Sequence, residues 1–145
     1  MFVVDTNVLM YAADKDSPYH ARCLEQLEGW RSHEDAWFVT WGIVYEFLRI
    51  ASHPRVFSRP LSANQALDFL EPVLSLDLVT VLIPSPRHEA LLRDTVHEFG
   101  KPAGNIFHDL HTAVLMREHG VSEIMTADTD FRKFPFLSVT NPVLS

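Results

Sequence analysis

The chain has little of several residue types, and each shortage excludes a class of protein. Cys23 is the single cysteine among 145 residues, so the sequence supports neither an internal disulfide nor a cysteine-based zinc site. No apolar run approaches the roughly 20 residues that cross a bilayer, and no basic region followed by a cleavable apolar one opens the chain. We therefore expect no membrane segment and no secretion, and the free thiol is consistent with a cytoplasmic location.

Basic residues are also few, with 12 Lys and Arg against 19 Asp and Glu and a net charge of −7. A broad nucleic-acid-binding face usually carries a basic stripe, so the net charge alone argues against one. A cluster of metal-binding carboxylates contributes negative charges that its cations neutralise. The charge balance therefore remains compatible with a carboxylate metal centre or with a basic partner.

The order of predicted elements indicates an α/β fold. The length predicts one domain over residues 1–145 with a substantial core. Strand patterns lie at residues 2–4, 36–40 and 78–83, with a fourth after "SEIMTA" and a fifth at "LSVT". Helical patterns cover residues 7–13, 19–30, 42–52, 62–75, the stretch from "PSPR" to 98, and 105–119. Such alternation predicts a central, mainly parallel β-sheet of four to five strands flanked by helices.

A carboxylate interrupts the apolar pattern at the very start, in "MFVVDTNVLMYA". Asp5 follows an apolar run, and the run resumes at Val8. In open parallel sheets, ligands bind just outside the carboxyl ends of the strands. We therefore expect Asp5 to face a crevice, and Asp128 and Asp130 of "IMTADTDF" hold a comparable position after the fourth strand.

Two further acids lie within apolar helical segments. Glu46 belongs to "WGIVYEFLRI" and Asp109 to "NIFHDLHTAVLM". A carboxylate in an apolar neighbourhood is unfavourable unless another group pairs with it. Four or five such acids without matching basic neighbours suggest a shared cation, and carboxylate oxygens suit magnesium or manganese.

Each of these acids also has an ordinary structural explanation. Asp5 is placed to cap the helix that follows it, and Glu46 could be a solvated helix residue. Asp109 could favour the positive end of its helix dipole. Asp128 and Asp130 could start a turn or cap the short segment before "FRKFP"; of these two, we favour Asp128 as the ligand.

Four motifs, in their order and spacing, resemble the PIN-domain family, and specifically the VapC toxins of prokaryotic VapBC toxin–antitoxin pairs. These motifs are "VVDTNVLMYA", "EFLR", "HDLHTAVLMREHG" and "TADTDFRKFP". The resemblance covers nearly the whole chain and includes "HPRVFSRPLS" in the middle loop. It implies a PIN-like fold and a Mg²⁺- or Mn²⁺-dependent endoribonuclease toxin that cuts tRNA or rRNA. It further implies a homodimer and a VapB-like antitoxin partner.

The family's acidic centre carries over onto residues of this sequence. The resemblance implies catalytic roles for Asp5, Glu46, Asp109 and Asp128, with Asp130 as a further metal candidate. We assign Asp5 and Asp109 as the direct ligands, while Glu46 and Asp128 bind through water or orient the nucleophile. Thr126 is expected to hydrogen-bond a carboxylate. The candidate phosphate or RNA contacts are Thr6 and Asn7 at a helix start, Arg49, and Arg132 with Lys133.

Three other interpretations remain open. His108 and His111 lie three apart in "HDLH", which suggests zinc, but no third ligand of that kind is near. A receiver-like phosphoacceptor domain also places acids around Mg²⁺ at strand ends, although "TADTDF" stands where such a domain needs a lysine. A non-catalytic module could bind a metal or a basic partner through the same acids.

Overall fold

The chain folds into a five-stranded sheet flanked by helices. The computed structural model describes residues 1–32 and 34–144. The strands are β1 (Phe2–Val4), β2 (Trp37–Thr40), β3 (Val79–Leu82), β4 (Glu123–Met125) and β5 (Ser138–Thr140). The α-helices are α1 (Thr6–Ala13), α2 (His20–Arg31), α3 (Trp41–Ala51), α4 (Ala63–Leu74), α5 (His88–Phe99) and α6 (Ile106–His119), and a 3₁₀ helix covers Thr129–Lys133.

All strand pairs are parallel, in the order β3-β2-β1-β4-β5. Val3 of the central strand β1 is in register with Phe38 of β2 and Ile124 of β4. The chain therefore builds the sheet outward from β1 in one direction and then returns to add β4 on its other side. Ligands of open α/β sheets bind where the strand order reverses in this way, so the crevice lies between the carboxyl ends of β1 and β4.

The central strands are buried on both faces, which explains why their sequences are continuously apolar rather than alternating. Val3, Val4 and Ile124 have no exposed surface. Trp37 and Cys23 are also completely buried, whereas Trp41 is 50% exposed. The predicted α/β sheet is confirmed.

In the part of the chain that the structure describes, none of the helices combines the length and the apolar character that a membrane span requires.

Local capping signals set several helix boundaries. Ser62 begins α4 with a capping box in which its hydroxyl accepts a hydrogen bond from Gln65 N and Gln65 Oε1 accepts one from Ser62 N. Gly120 ends α6 in the left-handed conformation, at φ 70°. These two predicted boundaries are confirmed. The 3₁₀ helix is too short for the sequence pattern to predict, and it begins where Asp128 Oδ1 accepts a hydrogen bond from Asp130 N at 2.9 Å.

A buried carboxylate joins the end of α6 to the turn between β3 and α5. Glu118 accepts hydrogen bonds from the backbone N–H and hydroxyl of Ser85, and His88 Nδ1 lies 2.9 Å from its second oxygen. Arg87 Nη2 donates to the Glu118 carbonyl at 2.6 Å. Burial alone raises the pKa of Glu118, but the hydrogen bonds from Ser85 and His88 outweigh it and lower that pKa to about 2. The ionised form therefore fixes this turn against α6.

We expect Glu118→Gln to lower the free energy of unfolding at neutral pH by about 2 kcal/mol, because the neutral amide loses the charge and one of the two acceptor oxygens. The unfolded glutamate titrates near its ordinary pKa of 4.5, above the folded value. The stabilisation is therefore complete above pH 4.5 and declines as the pH falls towards 2. Urea unfolding at several pH values measures this difference, with exposed Glu28→Gln as the matched control. A difference that did not change with pH would contradict the assignment.

Candidate active site

Asp5 is a buried carboxylate at the end of β1 and the start of α1, with 8% of its surface exposed. Its Oδ1 accepts a hydrogen bond from Thr6 N at 2.8 Å, which caps α1. Its Oδ2 accepts hydrogen bonds from Thr126 Oγ1 at 2.8 Å and Asn7 Nδ2 at 3.2 Å. Burial raises the pKa of Asp5 to about 6, although hydrogen bonds from Thr126 and Thr6 oppose that rise. The capping explanation and the ligand hypothesis therefore apply to the same side chain.

Thr126 joins the carboxyl ends of β1 and β4. Its hydroxyl donates to Asp5 and accepts hydrogen bonds from Asn7 Nδ2 at 2.9 Å and Asp128 N at 3.0 Å. Asn7 Oδ1 in turn accepts a hydrogen bond from Ala127 N at 3.0 Å. The expected hydrogen bond from Thr126 to a carboxylate is confirmed. The segment that carries Asp128 is thereby held in a defined position relative to Asp5.

Asp109 approaches from the first turn of α6. It is partly buried, and its carboxylate accepts no hydrogen bond from the residues that the structure describes. Burial, and after it the charges of Asp128 and Asp5, together raise the pKa of Asp109 to about 7. Carboxylate oxygens of Asp109, Asp128 and Asp130 all lie within 4.8 Å of one another. These three residues form the acidic cluster, whose charges repel each other at this spacing.

Glu46 completes the set from α3. Its Oε2 accepts a hydrogen bond from Thr6 Oγ1 at 3.2 Å, and Arg49 Nη2 lies 3.9 Å from its Oε1. A cavity of about 100 Å³ is lined by Asp5, Glu46, Asp109 and Asp128, together with Thr6, Asn7, Met10 and Ile50. The structure therefore places the four predicted acids around one small cavity.

The other predicted residues lie around this cavity in different roles. Asp130 belongs to the acidic cluster but does not line the cavity, and Lys133 Nζ lies 3.3 Å from its Oδ1. Arg49 and Arg132 are exposed, and the side chains of Thr6 and Asn7 are engaged inside the site.

Within the described ranges, the acidic cluster is the one set of three metal-ligating side chains that lie close together. His108 and His111, the two histidines of "HDLH", do not belong to it. The His111 ring lies 6.2 Å from that of His88. A Cβ on Gly42 would approach His111 Nδ1 to 3.1 Å. The close packing of α3 against His111 thus accounts for the glycine and gives this histidine a packing role.

The donor set fits a divalent cation of the Mg²⁺ type. Asp5 and Asp109 have no basic partner within 4 Å in the described segments, while their neighbours are acidic. Hard cations prefer carboxylate oxygens, and a bound cation would offset the charge repulsion that, after burial, raises the pKa of Asp109. The arrangement can therefore hold a cation at the carboxyl ends of β1 and β4.

We expect Thr126→Val to lower the free energy of unfolding by about 1–3 kcal/mol, because the buried Asp5 oxygen and Asp128 N–H both lose a partner. Thr126→Ser keeps the hydroxyl and should retain most of the stability. Thr80→Val, on the exposed face of β3, is the matched control. Urea unfolding measures all three, and equal stability of the valine and serine variants at position 126 would contradict this role.

The family model for the PIN domain matches residues 2–137. Ribonuclease VapC37 of Mycobacterium tuberculosis is 33% identical over 134 residues, which are 92% of this chain and 92% of that protein. Ribonuclease VapC48 of the same organism is 29% identical over 138 residues, which are 95% of this chain and 94% of that protein.

Solved structures share the fold. The Mycobacterium tuberculosis toxin VapC20, described as cleaving the sarcin-ricin loop, superposes with a TM-score of 0.65 at 17% identity, over 91% of this chain and 93% of that one. A chain of VapBC2 from Rickettsia felis, bound to promoter DNA, gives 0.67 at 17% identity, over 97% of both chains. The family match over residues 2–137 and the identity to VapC37 establish that this chain belongs to the PIN domain family, among its VapC members.

Proposed function

We propose that this chain is a Mg²⁺- or Mn²⁺-dependent endoribonuclease and the toxic component of a VapBC-type toxin–antitoxin pair. The convergence of Asp5, Glu46, Asp109 and Asp128 on one cavity carries the proposal. The relatives named Ribonuclease VapC support the activity. We further propose that residues 1–145 act as one domain and that the substrate is tRNA or rRNA; a structural neighbour described as cleaving the sarcin-ricin loop supports this substrate class.

We assign each acid a role from its surroundings. Asp5 and Asp109 would bind the cation directly, with Asp128 and Glu46 acting through water and Asp130 as a further ligand. Such a cation supplies positive charge to the phosphate oxygens and lowers the pKa of a coordinated water. Glu46 lines the cavity and hydrogen-bonds Thr6, so we assign it to orient the attacking water and accept its proton.

Phosphate binding is assigned to groups at the edge of the cavity. Because the side chains of Thr6 and Asn7 are engaged within the site, their contribution would come through the N-terminal end of α1, where the helix dipole favours an anion. Arg49 and Arg132 are exposed next to the acids and would contact the RNA backbone. These contacts position the substrate without reading its sequence.

Asp5→Asn should abolish Mn²⁺ binding and lower RNA cleavage by at least about 100-fold, because a ligand charge is lost. The near-isosteric amide can still cap α1, so the fold should persist. Total RNA incubated with Mn²⁺ or EDTA measures cleavage, and calorimetry measures Mn²⁺ binding. Asp68→Asn, exposed on α4, is the control. Wild-type cleavage by Asp5→Asn would contradict the mechanism, and Mn²⁺ binding without cleavage by the wild type would favour a non-catalytic module.

We also propose a homodimer. The aromatic segment that ends β2 and starts α3 leaves Trp41 50% and Tyr45 71% exposed, one helical turn apart, and α4 leaves Leu67 43% exposed. Such apolar surface is typical of an interface. Light scattering of the isolated chain should give twice the monomer mass, and Tyr45→Glu should yield monomer whereas exposed Val56→Glu should not. A wild-type monomer at micromolar concentration would contradict the dimer.

A VapB-like antitoxin would neutralise the enzyme by placing a basic side chain among the acids. We place the apolar residues of its tail along α3 between Val44 and Leu48. Val44 and Phe47 are buried and Tyr45 is assigned to the dimer interface, so the partly buried Leu48 is the contact left for the antitoxin on this segment. Co-expression with the product of a neighbouring small gene should abolish RNA cleavage and yield a stable complex. Failure of any such product to bind, with no toxicity of this chain alone, would contradict the toxin assignment.

A further inference from the structure

A second cavity, of about 370 Å³, lies between the C-terminal half of α5 and residues 133–136. We call it the aromatic cavity, because Phe99, Phe134 and Phe136 line it. The Phe134 ring centroid lies 5.4 Å from that of Phe99 and 6.0 Å from that of Phe136. This volume and these walls are typical of sites that take a small, flat, largely apolar group.

The walls of the aromatic cavity are held in place by polar contacts. Arg117 donates two hydrogen bonds to Glu98, at 2.8 and 3.0 Å, and its guanidinium carbon lies 4.8 Å from the Phe136 ring centroid. Thr95 Oγ1 donates to the Leu91 carbonyl at 2.7 Å and accepts a hydrogen bond from Arg117. Because these polar groups already have partners, the cavity is a fixed shape rather than a loose packing gap.

Lys133 connects the aromatic cavity to the acidic cluster. Lys133 is one of the residues that line the cavity, and its Nζ lies 3.3 Å from Oδ1 of Asp130 in the cluster. The two sites are therefore neighbours that share Lys133. Arg132, next to it, is exposed, and its side chain makes no ion pair in the part of the chain that the structure describes. In a chain of net charge −7, these cations favour an anionic ligand at this edge.

We propose that the aromatic cavity binds an unstacked base of single-stranded RNA, next to the nucleotide whose phosphate reaches the acidic cluster. This inference rests on the proposed ribonuclease function. Sequence-specific RNA recognition uses splayed-out bases that stack on aromatic side chains. A base stacked against the partly buried rings of Phe99 and Phe136 would leave its phosphate near Lys133 and Arg132. An apolar protein side chain could fill the same walls, but it would bring no anion to the exposed Arg132.

Fluorescence anisotropy in EDTA tests the base site without cleavage. The probes are a labelled 12-nucleotide oligoadenylate and a 12-nucleotide abasic strand of equal charge. Stacking contributes about 1–3 kcal/mol per base, so the wild type should bind the base-bearing strand at least about fivefold more tightly. Phe136→Leu keeps apolar packing but removes the flat ring, and should bind both strands with the wild-type affinity for the abasic strand. Phe69→Leu, which alters a partly buried ring stacked on Phe47 away from the cavity, is the matched control.

The possible outcomes separate the two proposals. Equal wild-type affinities, or an unchanged base preference in Phe136→Leu, would overturn the base site even if total RNA is cleaved. Weaker binding of both strands by Phe136→Leu would indicate a merely structural role and would also overturn it. If Phe136→Leu lost antitoxin binding but kept the base preference, the cavity would be assigned to a side chain of the antitoxin instead. Absence of cleavage by the wild type with Mn²⁺ contradicts the proposed function, whatever the anisotropy shows.

Discussion

The buried carboxylate of Asp5 is the constraint on which the rest of the site depends. It follows the central strand β1 and caps α1. It also accepts a hydrogen bond from the hydroxyl of Thr126, across the crevice between β1 and β4. A buried charge is unfavourable unless its hydrogen-bonding capacity is used. The sequence supplies three donors to Asp5, two from the following residues and one from the end of β4. These same bonds fix the direction in which Asp128 leaves the sheet.

Much of this arrangement follows from local sequence rules. Short apolar runs alternating with amphipathic segments predict the parallel sheet, and Ser62 and Gly120 mark helix ends because their capping geometry is local. Asp5 and Asp128 could be placed at one edge because parallel strands end at the same side of a sheet. The order of strands around β1 then explains why these two acids, 123 positions apart in numbering, become neighbours at a single crevice.

Other features depend on contacts that no local pattern records. Ser85 and Glu118 are 33 residues apart, and each looks like an ordinary polar residue in its own segment. The 3₁₀ helix after Asp128 is too short for a periodic signal, although it positions Asp130 and Lys133. The aromatic cavity likewise joins Phe99 of α5 to residues more than 30 positions later. The acids can be identified from the sequence because few residue types can bind a metal ion. The apolar walls of a cavity cannot, because the same residue types also fill any protein core.

The electrostatics also explain why so acidic a centre is compatible with a folded chain. Two of the acids form ion pairs with exposed basic side chains: Glu46 pairs with Arg49, and Asp130 pairs with Lys133. Such pairs at a surface contribute little to stability, so these cations can leave the carboxylates for phosphates at small cost. Asp5 is compensated by neutral donors, which preserve its charge for a cation. Asp109 has neither kind of partner in the described residues, and burial together with the charges of Asp128 and Asp5 raises its pKa. A cation bound beside Asp109 would therefore offset the repulsion from its acidic neighbours.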